Sequence, residues 1–227
     1  MRSYTLSSPT PWDSYCEEIE SVSIASGVTS IGSYAFYYCK GLESVTISDS
    51  VTDIENDAFL ECSSLTNITI QDSVTNIGDS AFQHCKGLKK ITIPGSVKRI
   101  GDSAFASCYI SAEESESGIE IGLEKVVVQD GVEAIGAFAF YRCKKLNDVT
   151  LPDSVTSIGD NAFQYTGLYN DDSEWEALYI GRHLIKADNW ALNKNGTSDF
   201  AVEPETKTIA DNAFSGCECL KSITIPD

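Results

Sequence analysis

The stretch Leu88-Lys-Lys-Ile-Thr-Ile-Pro-Gly-Ser-Val-Lys-Arg-Ile-Gly-Asp-Ser-Ala-Phe105 decides the fold, because nearly the same words return every 23 residues. Its closing pair recurs at Ala35-Phe36, Ala58-Phe59, Ala81-Phe82, Ala104-Phe105, Ala139-Phe140, Ala162-Phe163 and Ala213-Phe214. A fixed period of this length means a solenoid, in which each unit is one coil that cannot bury its own apolar face. Coils begin at Ile19, Leu42, Leu65, Leu88, Leu123, Leu146 and near Thr197, and an eighth opens at Leu220. Coils that touch only their neighbours share one continuous core, so the expectation is a single elongated domain over residues 1–227.

Within a coil, Leu-x-x-Ile-x-Ile (Leu65, Ile68, Ile70; Leu88, Ile91, Ile93) ends in period-two alternation rich in β-branched residues. That pattern marks a half-buried strand. Pro94, Pro152 and Pro226 follow it, at a strand end where a missing backbone donor does little harm. Val-x-x-Ile-Gly (Val97 and Ile100, Val155 and Ile158) then predicts a second short extended piece. Asp79, Asp102, Asp160 and Asp211 precede the Ala-Phe pair like helix N-caps, so Ala-Phe-x-x-Cys is expected to form one helical or 3₁₀ turn. Glu55 and Ala210 replace the glycine of Ile-Gly, so a left-handed backbone is not obligatory there.

Cys16, Cys39, Cys62, Cys85 and Cys108 are spaced 23 apart, and Cys143 and Cys217 keep the same place relative to phenylalanine. One cysteine per coil at one phase makes a ladder of small buried side chains, with Thr166 tolerated at one rung. Free buried thiols are the expectation. Disulfides between neighbouring rungs are the alternative, a metal site is disfavoured, and Cys219 lies outside the ladder as the candidate exposed thiol.

Two insertions interrupt the period. The first, about 109–120, carries Glu113, Glu114, Glu116 and Glu120; the second, about 167–196, carries Leu178-Tyr-Ile-Gly181 and His183-Leu-Ile-Lys186, a β-hairpin around Gly181-Arg182. The chain has 34 acidic against 16 basic residues, a net charge of −18 that repels phosphate backbones and anionic membranes. No apolar run reaches the ~18 residues of a membrane helix, and no signal peptide opens the chain. Because Ile225-Pro226-Asp227 ends in mid-coil, a fragment of a longer protein is expected.

Chemistry is sparse in this sequence. His84 reads as a surface residue and His183 falls in the hairpin; neither sits in a nucleophile pattern, and no catalytic residue, metal ligand set or cofactor motif stands out. Asp53-Ile-Glu55-Asn-Asp57 lacks the glycine and closing glutamate of a calcium loop, and Asp171-Asp172-Ser-Glu174 and Glu113–Glu116 read as solvated loops. Thr46, Thr69, Thr92 and Thr150 form an outward column explained by β propensity. Two features are candidates for binding. Lys86, Lys89, Lys90, Lys98, Arg99 and Lys125 form a basic island, which the Glu-rich insertion is expected to cover. Tyr37, Tyr38, Trp175, Tyr179 and Trp190, with Trp12, Tyr15 and Tyr34, are aromatics suited to protein or glycan contacts or to capping the solenoid ends.

The pattern Leu-x-x-Ile-Thr-Ile-Pro-Asp-Ser-Val-Thr-x-Ile-Gly-Asp-x-Ala-Phe-x-x-Cys resembles the bacterial leucine-rich repeats of the BspA, or Treponema pallidum, type. Leu146–Phe163 follows it throughout, Leu178–Ala187 resembles a hairpin such proteins carry, and Pro11–Cys16 resembles their entry into the first coil. The resemblance implies an α/β, right-handed, horseshoe-like solenoid of about seven coils on secreted or surface proteins of anaerobic bacteria and some protists. It implies adhesion to host or neighbouring-cell proteins and carries no catalytic residues. The expected function is therefore a non-catalytic, monomeric recognition module, extracellular or at the cell surface. A structural spacer and a glycan-binding module are the alternatives; an enzyme, a nucleic-acid binder and a membrane-inserted protein are not expected.

Phenylalanine supplies the largest buried body in each coil, so Phe82→Ala is expected to lower stability by ~3–5 kcal/mol. A thermal melt that leaves the midpoint unchanged would remove Phe82 from the core.

Overall fold

The computed structural model describes Tyr4, residues 10–169 and 176–188, Leu192 and residues 199–226. Each coil contributes two short parallel strands. The first ladder contains Ser21–Ser23, Ser44–Thr46 and Asn67–Ile68, then Lys90–Ile93, Lys125–Val128 and Asp148–Thr150. Its inward residues pair coil to coil: Val22 with Val45, Val45 with Ile68, Ile91 with Val126 and Val126 with Val149. The second ladder is six-stranded and stacks Ile31, Ile54, Ile77, Ile100, Ile135 and Ile158 in one column. These isoleucines are buried together with every leucine that opens a coil from Leu42 to Leu146. The result is a leucine-rich repeat solenoid.

The phenylalanines form the other column of the core. Rings from Phe36 to Phe163 stack at centroid separations of 5.1–5.5 Å and interplanar angles of 6–12°. Trp12 closes the first end: it stacks on Phe36 at 5.7 Å and its Nε1 donates to Ala35 O at 2.8 Å. Tyr4 meets Trp12 edge-on at 5.8 Å. The expected cap is thus Trp12.

No helix forms at the described Ala-Phe turns; the 3₁₀ helix Asp13–Tyr15 lies before the first coil. Instead, left-handed residues flank each phenylalanine, for example Ser80 (φ 53°) and His84 (φ 61°) around Phe82. The alternation aims every second N–H at the next coil: Ser80, Phe82 and His84 donate to Asp102, Ala104 and Ala106 oxygens at 2.7–2.9 Å. The residues between them close local turns, as when Cys85 N donates to Phe82 O at 3.2 Å. A helix would spend all of these donors on its own turn and leave the neighbouring coil unbonded. Left-handed conformations cost about 1–2 kcal/mol per non-glycine residue, and the bonds between coils offset that.

Asp79 and Asp102, read as N-caps, serve the same purpose. Asp79 N donates to Asn56 Oδ1 at 2.8 Å, Asp102 N to Asp79 Oδ1 at 2.7 Å, and Ala137 N to Asp102 Oδ1 at 2.9 Å. The glycine before them is required by close approach and not by φ. A Cβ on Gly78 would lie 2.5 Å from Asn56 Oδ1, and one on Gly101 would collide with the Gly78 backbone. Where Glu55 replaces this glycine, its carboxylate accepts from Ser30 Oγ at 2.8 Å and Ser33 N at 3.0 Å. Serines in the turn after the first strand act similarly: Ser50, Ser96 and Ser154 hydroxyls donate to Val28, Val74 and Val132 carbonyls of the preceding coil.

Both insertions form hairpins. In the first, Tyr109–Ile110 pairs antiparallel with Ile121–Gly122. In the second, Ala177–Ile180 pairs with His183–Ala187 around Gly181, whose φ of +58° fits the tight turn. This hairpin enters the stack: His183–Ala187 runs parallel to Thr208–Ile209 of the next coil. It also divides the core. Ile180 and Ile185 belong to the large cluster of the regular coils, whereas Leu184 and Ala187 join Phe200, Val202 and Ala213 in a smaller one. The ring column accordingly ends at Phe163, and Phe214 instead meets Phe200 edge-on.

The free-thiol expectation holds for Cys62, Cys85, Cys108 and Cys143, which are fully buried. Each Sγ donates to a phenylalanine carbonyl one coil earlier, at 3.0–3.2 Å. It needs correction at the first rung, where Cys16 and Cys39 form a disulfide. Cys219 is partly buried against the smaller cluster, as is Cys217, so neither is a freely exposed thiol. Burial pushes the thiol pKa values of Cys62, Cys85 and Cys108 well up. Iodoacetamide applied to the native protein at pH 8 should therefore modify Cys217 and Cys219 first and spare the four inner rungs, as read by peptide mass spectrometry. Rapid labelling of Cys85 would overturn the buried ladder.

Candidate functional site

The outward side of the first ladder carries Ser21, Ser44, Asn67, Lys90, Lys125 and Asp148 in one column, all exposed except the half-buried Ser44, because alternate residues of a strand face opposite sides. Lys90 and Lys125 are direct neighbours, and Lys125 Nζ reaches Asp148 Oδ2 at 2.6 Å. Lys98 pairs with Glu133 at 3.3 Å and donates to Gly131 O at 3.2 Å. Arg99 bridges Asp79 and Asp102. The charge of Lys98, Arg99 and Lys125 is thus balanced by carboxylates of the same or adjacent coils, not by the Glu-rich insertion. Among the described residues, no ion pair joins Glu113–Glu120 to a lysine or arginine. That insertion stands beside Lys86 and Lys89, where Glu114 and Glu116 line the same groove. Exposed pairs of this kind contribute about 0–1 kcal/mol each and leave the lysines available to a partner.

The aromatic candidates separate. Tyr37 and Tyr38 lie 4.8 Å apart with Tyr34 edge-on to Tyr37, and Lys40 Nζ sits 4.8 Å over the Tyr38 ring. The Asp57 carboxylate raises the Tyr34 pKa, and burial raises that of Tyr37. Tyr179 packs against the smaller cluster, and its hydroxyl accepts from Glu203 N at 3.0 Å, so it holds the hairpin to the seventh coil. Trp175 and Trp190, like Asp171, Asp172 and Glu174, lie outside the described residues.

A second aromatic and basic group was not legible as a group in the sequence. Phe138, Tyr141 and Tyr165 meet edge-on at 5.4–5.5 Å, Arg142 lies over Tyr141, and Lys144 over Tyr109. Its members are scattered along the chain, and counting positions from each phenylalanine is the signal that aligns them.

Metal-ligand chemistry finds no convergence. The described residues contain no group of three or more His, Cys, Asp or Glu arranged to hold a metal. Side chains of 53–57 diverge instead: Asp53 accepts from Thr52, Glu55 from Ser30 and Ser33, and Asn56 from Asp79 N. No helix among the described residues is long and apolar enough to cross a membrane. His84 lies 3.9 Å from Glu61 at the surface. His183 is completely buried, with Nε2 3.0 Å from Pro152 O. A carbonyl only accepts, so the ring carries its proton on Nε2 and leaves Nδ1 buried without a partner.

The sequence matches the family model of the BspA type leucine-rich repeat region in six copies over residues 14–122 and 114–227. No curated protein matches it. Among crystal structures, a T. pallidum leucine-rich repeat protein aligns at 26% identity with a TM-score of 0.60, covering 90% of this chain and 79% of that one. A leucine-rich cell surface protein of Faecalibacterium prausnitzii aligns at 28% identity and 0.56, covering 92% of this chain and 62% of that one. A leucine-rich repeat protein of Bacteroides ovatus, at 23% identity and 0.52, shares the fold, with 92% and 61% coverage. The chain thus spans about three-fifths of the length of the last two.

Burial lowers the His183 pKa from its ordinary value of 6.5. A depressed histidine pKa favours the neutral ring in the fold, so this contribution to stability is complete above about pH 6.5 and is lost as pH falls through the folded value. Wild type should lose more thermal stability between pH 7 and pH 5 than His183→Gln, whose amide keeps a donor for Pro152 without a titrating nitrogen. Equal losses would remove His183 from the acid response.

Proposed function

This chain belongs to the BspA-type leucine-rich repeat family, and from that premise we propose that it is a non-catalytic recognition module of a secreted or cell-surface bacterial protein, binding a protein partner through the strand-lined face. The observation that carries this reading is a contrast within each coil. Inward positions repeat (Val45, Ile68, Ile91, Val126), while the outward column changes from Ser44 to Asn67, Lys90, Lys125 and Asp148. Packing accounts for the first set. The second set, half-buried at Ser44 and exposed at Asn67, Lys90, Lys125 and Asp148, lies on a rigid ladder, where side chains are free to match a partner without disturbing the core. The F. prausnitzii relative described as a cell surface protein supports the location.

Surface plasmon resonance against purified extracellular-matrix proteins tests the reading. One partner should bind in the micromolar range, and the double reversal Lys90→Glu/Lys125→Glu should weaken it by ~10-fold or more, as expected for charges central to an interface. Silence across the panel would leave the solenoid as a spacer, and binding unchanged by the reversal would move the interface off the strand-lined face.

A further inference from the structure

Counted from each phenylalanine, the second residue after it forms the column His84, Ser107, Arg142, Tyr165, and the fourth forms Lys86, Tyr109, Lys144, Gly167. Backbone bonds hold these rows one coil apart: His84 N to Ala106 O at 2.9 Å, Ser107 N to Tyr141 O at 2.7 Å, Arg142 N to Gln164 O at 2.9 Å. Ser107 is the smallest side chain of its column, set between His84 and Arg142. The surface therefore sinks there into a cleft of about 560 Å³, closed on one side by Ser111 and Glu114 of the first insertion. That volume lies within the range of sites for small ligands.

Charge reverses in this cleft of a chain whose net charge is −18. Elsewhere, Lys98, Arg99 and Lys125 are paired with carboxylates. Lys86, Arg142 and Lys144 form no ion pair among the described residues, although all three line the cleft. The lining carboxylate, Glu114, accepts from Ser111 N of its own turn at 3.4 Å. Aromatic rings fix the cations: Lys144 Nζ lies 5.3 Å over Tyr109, and the Arg142 guanidinium 5.2 Å over Tyr141. Tyr109 is itself pinned, its hydroxyl donating to Glu120 Oε1 at 2.6 Å. Tyr165 is 53% exposed at the far wall.

Three unpaired cations call for an anion, with arginine suited to a forked contact to carboxylate or sulfate. The exposed Tyr165 ring and the half-buried Tyr109, beside serine hydroxyls, suit a ligand that is apolar on one face and hydroxylated at its edges. An extended acidic peptide needs a sheet edge or a long groove, whereas this cleft is compact and walled by the insertion. We propose that the cleft between the third and sixth coils binds an acidic saccharide, bearing carboxylate or sulfate, at a site separate from the strand-lined face and independent of the protein-binding reading.

Isothermal titration of the whole chain with a heparin tetrasaccharide, sialyllactose, lactose and hexaglutamate tests this. One of the two acidic sugars should bind with Kd between about 10 μM and 1 mM and weaken as salt rises; binding of sialyllactose shows that a carboxylate suffices, whereas binding of heparin, which carries both groups, without sialyllactose points to sulfate. Arg142→Ala and Lys144→Gln should each weaken binding by ~10-fold or more, while Lys125→Ala leaves it unchanged. Both cleft residues are exposed, and an unaltered melting midpoint in each variant confirms an intact fold. Failure of both acidic sugars to bind, equal binding of lactose, binding of hexaglutamate as tight as that of the sugars, or undiminished affinity in both cleft variants would each overturn the proposal.

Discussion

One rise per coil governs this molecule. Parallel strands sit ~4.8 Å apart, and the phenylalanine rings attached to the same coils stack at 5.1–5.5 Å. Both spacings must be met within one repeat, so every element that faces a neighbouring coil is cut to that interval. Gly78 and Gly101 are glycines because the backbone of the preceding coil leaves no room for a Cβ. Alanine before each phenylalanine is buried for the same reason, with Ala58, Ala81 and Ala104 wholly inaccessible.

Close stacking also dictates the polar part of the repeat. A buried turn must find partners for its N–H and C=O groups, and here the next coil supplies them. The Asp79 and Asp102 carboxylates receive a backbone N–H one coil on, serine hydroxyls and cysteine thiols reach carbonyls one coil back, and left-handed residues around phenylalanine turn alternate N–H groups toward the next coil. Residues that look like helix caps or spare hydroxyls in a single repeat are therefore the hydrogen-bonded seams between repeats.

Freedom to vary is left where these seams do not run. The outward ladder column, the residues two and four after phenylalanine, and the two inserted hairpins carry the differences between coils. In the acidic background, Lys125, Lys98 and Arg99 are matched by Asp148, Glu133 and Asp79, whereas Lys86, Arg142 and Lys144 of the cleft below the first insertion form no ion pair among the described residues. The second hairpin has an architectural consequence as well. It occupies a place in the stack, splits the core and ends the ring column at Phe163.

Periodicity alone determined the solenoid, the identity of the inward Leu, Ile, Ala, Phe and Cys and the strand positions, because each of these depends on which residues recur at one phase; the hairpin around Gly181 was legible from its two apolar runs and the turn between them. Turn type at Ala-Phe-x-x-Cys was not legible: the motif has helix-cap chemistry locally, and only the demand of the neighbouring coil for N–H donors selects the left-handed alternation. Tertiary structure alone decided the Cys16–Cys39 disulfide, the burial of His183 and the role of Tyr179 as a hairpin anchor. It also decided that Lys125 meets Asp148, and that Lys86, Tyr109, Lys144 and Arg142, distant in sequence, share one cleft. The physical reason is common to all of these. A repeat specifies what one coil looks like, but contact between side chains on different coils depends on the stacking register and on where the insertions leave and rejoin it.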